Sequence, residues 1–343
     1  MNYARLAEGG RGAVMAALSG HAAGIAAPTS GSTGDPREVL VGRDALIASA
    51  TATLDRLGGP GHWLLALPTD RIAGAMVIAR AHVGGGDLIH HDHPRFTPAS
   101  FAEAAAHVPA GRRYVSLVPT QVWRLLSDPR GADALATFDA VLVGGAAPGM
   151  ALPAHAIETY GMTETSGGCV YDGRPLDGAS IRIDDDGRIL LAGPMLADGY
   201  ADGDDSAFIH AGGERWLRTG DLGSVEAGSL TVMGRADDVI LSGGVNVHPL
   251  AVEKALRAHG DIADAAVVGT PDAQWGERVV AVVVPAQGAR LSLDELRSAL
   301  ALDRATLPTA LAVVDSVPRT AAGKIDRYAA RAIAARIIAE EAP

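Results

Sequence analysis

The chain has 343 residues, 48% of them hydrophobic and 20% charged, with 42 glycines and 19 prolines and no low-complexity tract. That profile excludes a disordered or collagen-like protein and leaves room for about two folded domains, in which the scarcity of aromatic residues (4%) makes Ala, Val and Leu the main core formers. Lys+Arg 29 against Asp+Glu 40 gives a net charge of −11 without a basic stripe, so nucleic acid and anionic membrane are poor partners and an anionic ligand would need local positive groups.

Near the amino end, Ala13–Leu18 and Ala22–Ala27 imitate a signal peptide, but Gly20 and His21 break the apolar run, and no targeting segment is expected. From Trp63, short apolar runs alternate with helical periodicity: Trp63–Leu67, Ile72–Ala81, Tyr114–Val118, Gln121–Leu126 and Ala140–Val143. This reads as α/β units around a mainly parallel sheet. The longest apolar candidate, Ile72 to Val83, is interrupted by Arg80 and His82, which excludes a membrane span there. After about Gly178 the pattern turns β-rich, with a hairpin signal at Asp184–Gly187 between Ser180–Ile183 and Arg188–Leu191, followed by Trp216–Leu217 and Ser229–Met233.

A second boundary falls near Gly234–Asp238. Beyond it, Pro249–His259, Ala265–Val268, Val279–Val284, Leu293–Leu302 and Leu311–Val314 read as helix, strand, strand, helix, strand, and helical periodicity resumes from Asp326 to Ala339. The expectation is therefore a large α/β domain over residues 1–234 with a β-rich subdomain at about 179–234, and a small, mobile α+β domain over residues 235–343. The single cysteine, Cys169, allows no internal disulfide and suits a reducing compartment, with cytoplasm as the default.

Thr29-Ser30-Gly31-Ser32-Thr33-Gly34 offers hydroxyls, backbone N–H groups and glycines able to fold around an anion such as a polyphosphate. Taken alone, it also suits a flexible linker. No Walker A, dinucleotide-binding or G-x-S-x-G sequence occurs, which excludes P-loop NTPase chemistry. His90-His91-Asp92-His93 lacks the helical spacing of a metal pair and reads as a solvated loop. No activating base accompanies Cys169, so a thioester nucleophile is not expected there.

Four further motifs follow in order: Tyr160-Gly161-Met162-Thr163-Glu164, Thr219-Gly220-Asp221, Gly234-Arg235-Ala236-Asp237-Asp238 and Pro318-Arg319-Thr320-Ala321-Ala322-Gly323-Lys324. With Thr29–Gly34 they resemble the signatures of the adenylate-forming superfamily of acyl-CoA synthetases, peptide-synthetase adenylation domains and luciferases. The short chain and the run YGMTETSGGCVYDG at Tyr160–Gly173 most resemble the o-succinylbenzoate–CoA ligases of menaquinone biosynthesis, in their compact actinobacterial form.

The resemblance implies ATP, Mg²⁺ and CoA, with a small carboxylic acid as the fourth ligand, and it is compatible with a homodimer. It implies that Tyr160 stacks on adenine, with Gly161 and Met162 also binding the nucleotide, while Gly144, Gly145 and Ala146 line the other side. Thr163 would bond the α-phosphate, Glu164 would hold Mg²⁺, Asp221 would accept the ribose hydroxyls, and Arg235 would support the nucleotide. Lys324 would stabilise charge during adenylation, Asp237 would be the hinge, and Gly243 and Gly244 would lie along the CoA channel, although a plain glycine turn explains them nearly as well. Ser166, Gly167 and Gly168 would line the acid pocket, continued by Cys169.

Three departures stand out. Arg37 replaces the usual Lys of the phosphate loop, with a planar, forked donor set in place of a point charge. Arg71 replaces a usual His near the acid pocket and is a candidate partner for a second carboxylate. The connection from Ala146 to His155 is short for a parallel crossover and carries Pro148 and Pro153, which suggests that a helix has been lost. Beside o-succinylbenzoate ligation, two readings stay open: ligation of another aryl or aliphatic acid, and a non-catalytic nucleotide-binding relative.

Overall fold

The computed structural model describes residues 2–29, 37–320 and 323–341. The chain divides into two compact units, the first formed by residues 1–219 and 225–231 and the second by residues 220–224 and 232–343. It passes between them within strands Glu214–Glu226 and Ser229–Arg235.

The first unit is built on a seven-stranded sheet in the order Arg174–Pro175, Gly167–Tyr171, Ala156–Met162, Ala140–Val143, Arg113–Leu117, His62–Leu65, Leu88–His90. The five strands from Ala156–Met162 onward are parallel, while Gly167–Tyr171 and Arg174–Pro175 turn back antiparallel. Interior strands read as continuous apolar runs because helices cover both faces of the parallel part. Phe101, Val115, Leu117, Val122, Val141 and Val143 form the core on one side.

Helix Ile72–Gly84 is buried without interruption from Gly74 to Ala81, which explains its apolar composition and weak amphipathicity. Gly74 is required there, since a Cβ would lie 2.1 Å from the Pro68 carbonyl oxygen. Helix Pro98–Ala106 starts in a capping box: Thr97 Oγ1 accepts from the Ser100 backbone N–H, and Ser100 Oγ accepts from that of Thr97.

Two smaller sheets complete the β content of this region. One contains Tyr3–Arg5, Gly24–Pro28, Glu38–Gly42 and Gly199–Tyr200. No local pattern marks this sheet, whose last strand comes from far along the chain. The other contains Ser180–Ile183, Arg188–Ala192, Glu214–Glu226 and Phe208–Ala211, with Ser229–Arg235 paired to Glu214–Glu226.

The second unit has strands Ile262–Asp272 and Gly276–Pro285 at its centre, joined by Ile240–Ser242, Val245–Val247 and Ala310–Val313. Successive side chains of the central pair enter separate cores: Ala265, Val267, Ala281 and Val283 meet Val252 and Leu256 of helix Pro249–Arg257, whereas Ala266, Val268, Val280 and Val282 meet Ala330 and Ala334 of helix Arg327–Glu341. Burial on both faces accounts for the unbroken VVAVVV run, which would alternate with polar residues if one face were wet.

Phe101 is fully buried, with its ring centroid 5.7 Å from that of Phe96 and 5.8 Å from that of Phe138. Phe101→Ala should lower unfolding free energy by about 3–5 kcal/mol, measured as a shift of the denaturant midpoint at constant slope. A shift worth less than about 1 kcal/mol would mean that the surrounding core closes over the void.

Candidate active site

Loops at the carboxyl ends of the parallel strands gather the first half of the motif set. Gly144-Gly145-Ala146 leaves strand Ala140–Val143, and Tyr160–Glu164 ends the neighbouring parallel strand Ala156–Met162, with Val143 in register with Glu158. In open α/β sheets this edge is where ligands bind. Gly144 approaches the next strand so closely that a Cβ would sit 2.4 Å from Thr159 Oγ1, and Gly145 has φ +86°. These two glycines leave bare backbone at the end of strand Ala140–Val143, next to the strand that carries the partly buried Tyr160.

Gly161 carries the tightest contact of the loop. A Cβ there would meet the Gly167 carbonyl oxygen at 2.1 Å and the Gly168 Cα at 2.7 Å. The close approach lets strand Ala156–Met162 fold back against Gly167–Tyr171 through a single 3₁₀ turn, Thr163–Thr165, followed by Ser166 in the left-handed region at φ 52°. Thr165 Oγ1 accepts from Met162 N (2.9 Å) and donates to Gly167 O (2.7 Å), closing the turn from inside. Ser166 is fully buried and donates to Met195 O (2.8 Å), while its own carbonyl accepts from Ser49 Oγ (3.0 Å). Ser166 thus fixes the loop through its backbone and spends its hydroxyl internally, and Gly167 and Gly168 are the members of the trio that remain partly open.

Glu164 is bonded by a residue that no local sequence pattern marks. Tyr200 donates its hydroxyl to Glu164 Oε1 at 2.9 Å, and burial together with the adjacent Glu164 carboxylate raises the phenol's pKa well above its ordinary value. Tyr200 comes into place because strand Gly199–Tyr200 pairs with Glu38–Gly42. Arg37 stacks on the Tyr200 ring, with its Cζ 3.7 Å from the centroid, and forks onto Asp202 through two bonds of 2.7 Å. That pairing holds the Asp202 carboxyl down at about 2. Thr29 and Arg37 are bonded to each other, Thr29 N donating to Arg37 O (2.8 Å) and Arg37 N to Thr29 Oγ1 (3.1 Å). Ser30, Gly31, Ser32, Thr33 and Gly34 lie outside the described residues.

Arg71 is half exposed, with Nε 3.7 Å from Asp70 Oδ2 and Nη1 3.4 Å from Thr29 O. Arg80 differs: it is 4% exposed, Nη1 has only a long bond to Ser116 Oγ (3.4 Å), Nε has no partner, and Trp63 lies 5.5 Å from its Cζ. Among the described residues no carboxylate lies within 4.0 Å of it, and Nη2 is 4.0 Å from where a Cβ on Gly167 would be. An isolated buried charge is costly unless something else neutralises it. The signal in the sequence was the lone Arg within an apolar helical run; only packing reveals that it points inward beside Gly167.

In the second unit, Arg235 Nη1 lies 4.0 Å from Asp221 Oδ1, and Nη2 donates to Asp237 Oδ2 at 3.0 Å. Its guanidinium lies over the Gly220 backbone, where a Cβ would be 2.7 Å from Cζ. Asp237 sits in the 3₁₀ turn Ala236–Asp238. Gly243 and Gly244, at φ +58° and +81°, form the two-residue turn between strands Ile240–Ser242 and Val245–Val247. Trp275 packs beneath the first of them. Lys324 O accepts from Thr320 N at 2.8 Å.

Among the described residues no group of three His, Cys, Asp or Glu side chains is arranged to hold a metal ion. Glu164 remains the one carboxylate of the Tyr160–Glu164 motif, which fits a cation that keeps most of its water and binds phosphate oxygens. In the histidine run, His90 Nε2 lies 3.2 Å from Arg11 Nη1, His91 Nε2 bonds Ser100 Oγ at 2.8 Å, and His93 Nε2 lies 3.4 Å from Glu103. Each ring is thus tied to protein. No helix among the described residues is long and apolar enough to cross a membrane.

Residues 24–201 match the AMP-binding enzyme family and residues 251–324, ending on Lys324, match the AMP-binding enzyme C-terminal domain. The chain belongs to the AMP-binding enzyme family. It is 44% identical over 316 residues, covering 88% of this chain and 82% of the relative, to a probable 2-succinylbenzoate–CoA ligase of Mycobacterium tuberculosis. Among solved structures it is similar to the o-succinylbenzoate CoA synthetase of Bacillus subtilis in complex with the acyl-adenylate intermediate OSB-AMP, with TM-score 0.73, 27% identity, and coverage of 89% of this chain and 68% of the other. The ATP-bound MatB of Rhodopseudomonas palustris superposes with TM-score 0.79 at 25% identity, over 90% of this chain and 67% of that one.

Cys169, on strand Gly167–Tyr171, is 1% exposed, and burial pushes its thiol up to about 12. At about pH 8 almost none of it is thiolate, so iodoacetamide should leave the folded chain unmodified and alkylate it fully in denaturant. Rapid labelling of the folded chain would show that strand Gly167–Tyr171 opens in solution.

Proposed function

We propose that this chain is an AMP-forming o-succinylbenzoate–CoA ligase. The observation that carries the acid assignment is Arg80, a buried guanidinium with no carboxylate neighbour among the described residues, beside the partly open Gly167. A dianionic acid reacts through one carboxylate and must bury the other, and Arg80 is suited to receive it with forked, permanently charged donors. This role falls to Arg80 in preference to the exposed Arg71. The names of the relatives point to the same acid.

In the first half-reaction a carboxylate oxygen of the acid attacks the α-phosphorus of ATP, the bond to the β-phosphate oxygen breaks, and pyrophosphate leaves. The Tyr160 ring and the Gly144–Ala146 backbone hold the adenine, Asp221 accepts the ribose hydroxyls with Arg235 beside it, and Thr163 bonds the α-phosphate. Bound Mg²⁺ would supply charge neutralisation on the phosphates, and Glu164, oriented by Tyr200, would hold it. Lys324 places an ammonium where negative charge spreads as the new bond forms. In the second half-reaction the CoA thiol loses its proton, its sulfur attacks the acyl carbonyl, and AMP leaves. Asp237 is assigned as the pivot of a mobile domain beginning at residue 235, and the Gly243–Gly244 turn as backbone beside the CoA thiol arm.

Acid-dependent exchange of pyrophosphate into ATP tests the proposal, with o-succinylbenzoate expected to outperform benzoate and short fatty acids. Absence of exchange with every acid in such a panel would overturn it. Lys324→Ala should cut exchange by on the order of 10²-fold or more while a pre-made acyl-adenylate is still converted to the thioester. An equal loss in both half-reactions would remove the role given to Lys324.

Arg80→Met separates stability from function. Replacing an unpaired buried charge with an apolar side chain of similar length should keep or raise thermal stability, yet lower kcat/KM for o-succinylbenzoate by about 10²-fold or more, because the second carboxylate is left without a partner. Monoanionic aryl acids should be little affected. Unchanged discrimination between the two acid classes would dismiss Arg80 as the partner.

A further inference from the structure

We infer that Arg319, braced by Asp264, is a positioning residue for Lys324; the inference rests on the adenylation role proposed above. Lys324 is carried on a short hairpin whose strands meet at an antiparallel bridge between Arg319 and Ile325. Thr320 N donates to Lys324 O (2.8 Å), Gly323 N to Thr320 O (2.8 Å), and Asp326 N to Pro318 O (2.9 Å).

The side chain of Arg319 adds a side-chain tie to this backbone pairing. Nη1 donates to Gly323 O at 3.0 Å and Nη2 to Asp264 Oδ2 at 2.7 Å, so one planar group ties the peptide immediately before Lys324 to strand Ile262–Asp272. Gly323 has φ +79°, and the bond to its carbonyl fixes the plane from which Lys324 departs. Asp264 is a firm anchor: Oδ1 also accepts from Ala265 N (2.9 Å) and Arg257 Nε (3.2 Å), at the point where strand Ile262–Asp272 shifts register.

On the far side of the hairpin, Arg327 Nε donates to Asp238 Oδ2 (2.7 Å) and Nη1 to Val267 O (2.9 Å), with Glu253, 1% exposed, as a second carboxylate. Arg327 thereby ties the start of helix Arg327–Glu341, three residues beyond Lys324, to Asp238, Glu253 and strand Ile262–Asp272. A Lys at position 319 has one ammonium and no fork with which to serve the carbonyl and the carboxylate in this geometry.

Arg319 is 32% exposed, and a partly exposed ion pair contributes little to stability. A catalytic charge, in contrast, loses its effect when displaced by a fraction of its contact distance. The two effects separate in experiment. In the full chain, Arg319→Ala and Asp264→Asn should each slow adenylation by about tenfold or more while leaving conversion of a pre-made acyl-adenylate to thioester within about twofold. Arg319→Ala on a Lys324→Ala background should cause no further loss, because Arg319 acts through the lysine.

A second readout does not depend on turnover. The chain contains only two lysines, Lys254 and Lys324, so reductive methylation with ¹³C-formaldehyde gives two side-chain signals besides the amino terminus. In Arg319→Ala the Lys324 signal should shift while that of exposed Lys254 on helix Pro249–Arg257 stays in place. Additive kinetic losses, equal loss in both half-reactions, or an unmoved Lys324 signal would overturn the inference. A wild-type chain without adenylation would instead defeat the proposed function, and the resonance shift would still decide whether Arg319 positions Lys324.

Discussion

The approach of Gly161 to the Gly167 carbonyl is the constraint on which the first unit's chemistry depends. No side chain fits where a Cβ would lie 2.1 Å from a backbone oxygen, and that space lets a parallel strand reverse into an antiparallel one within a single 3₁₀ turn. Thr163 and Glu164 occupy that turn, Thr165 seals it, and Ser166 adopts a left-handed conformation that its buried hydrogen bonds maintain. Any widening of the reversal would move the carboxylate of Glu164 away from Tyr200 and the Gly144–Ala146 backbone away from Tyr160.

The distribution of charge follows a comparable logic. The net charge of −11 would repel an acid and ATP, and the chain answers with individual guanidinia in defined surroundings. Arg37 is held by Asp202 and the Tyr200 ring, Arg235 by Asp221 and Asp237, and Arg319 by Asp264. Arg80 has no such carboxylate among the described residues and sits in a low-dielectric core, where a single anion would be bound strongly because water no longer competes.

The connection between strands Ala140–Val143 and Ala156–Met162 shows how a parallel crossover survives without a helix. Met150 and Leu152 pack against the core that contains Val141 and Val143, where a crossover helix would place its apolar face. Val141 N donates to His155 O (3.1 Å), Ala156 N to Pro153 O (2.9 Å), and His155 Nε2 lies 3.2 Å from Leu135 O, so the incoming loop is anchored at its end. The cost is visible in strand Ala156–Met162, none of whose residues is fully buried.

By itself the sequence determined the order of the motifs, the α/β alternation after Trp63, the doubly apolar strands of the second unit and the missing crossover helix. Each depends on local spacing: glycines where φ is positive or backbones touch, apolar periods of two or 3.6, and a loop too short and too proline-rich to hold a helix. Tertiary structure alone decided the remainder. Tyr200 reaches Glu164 because a two-residue strand pairs with a segment some 160 positions earlier, and no local pattern encodes that pairing. Arg80 and Arg71 are both arginines at one end or the other of the same apolar helical run, yet one faces the core beside Gly167 and the other faces solvent. Arg319 belongs to a motif legible at sight, but its work depends on Asp264, a residue of another strand. Long-range pairing and side-chain direction are settled only when the whole chain packs, and these residues take their meaning from that packing.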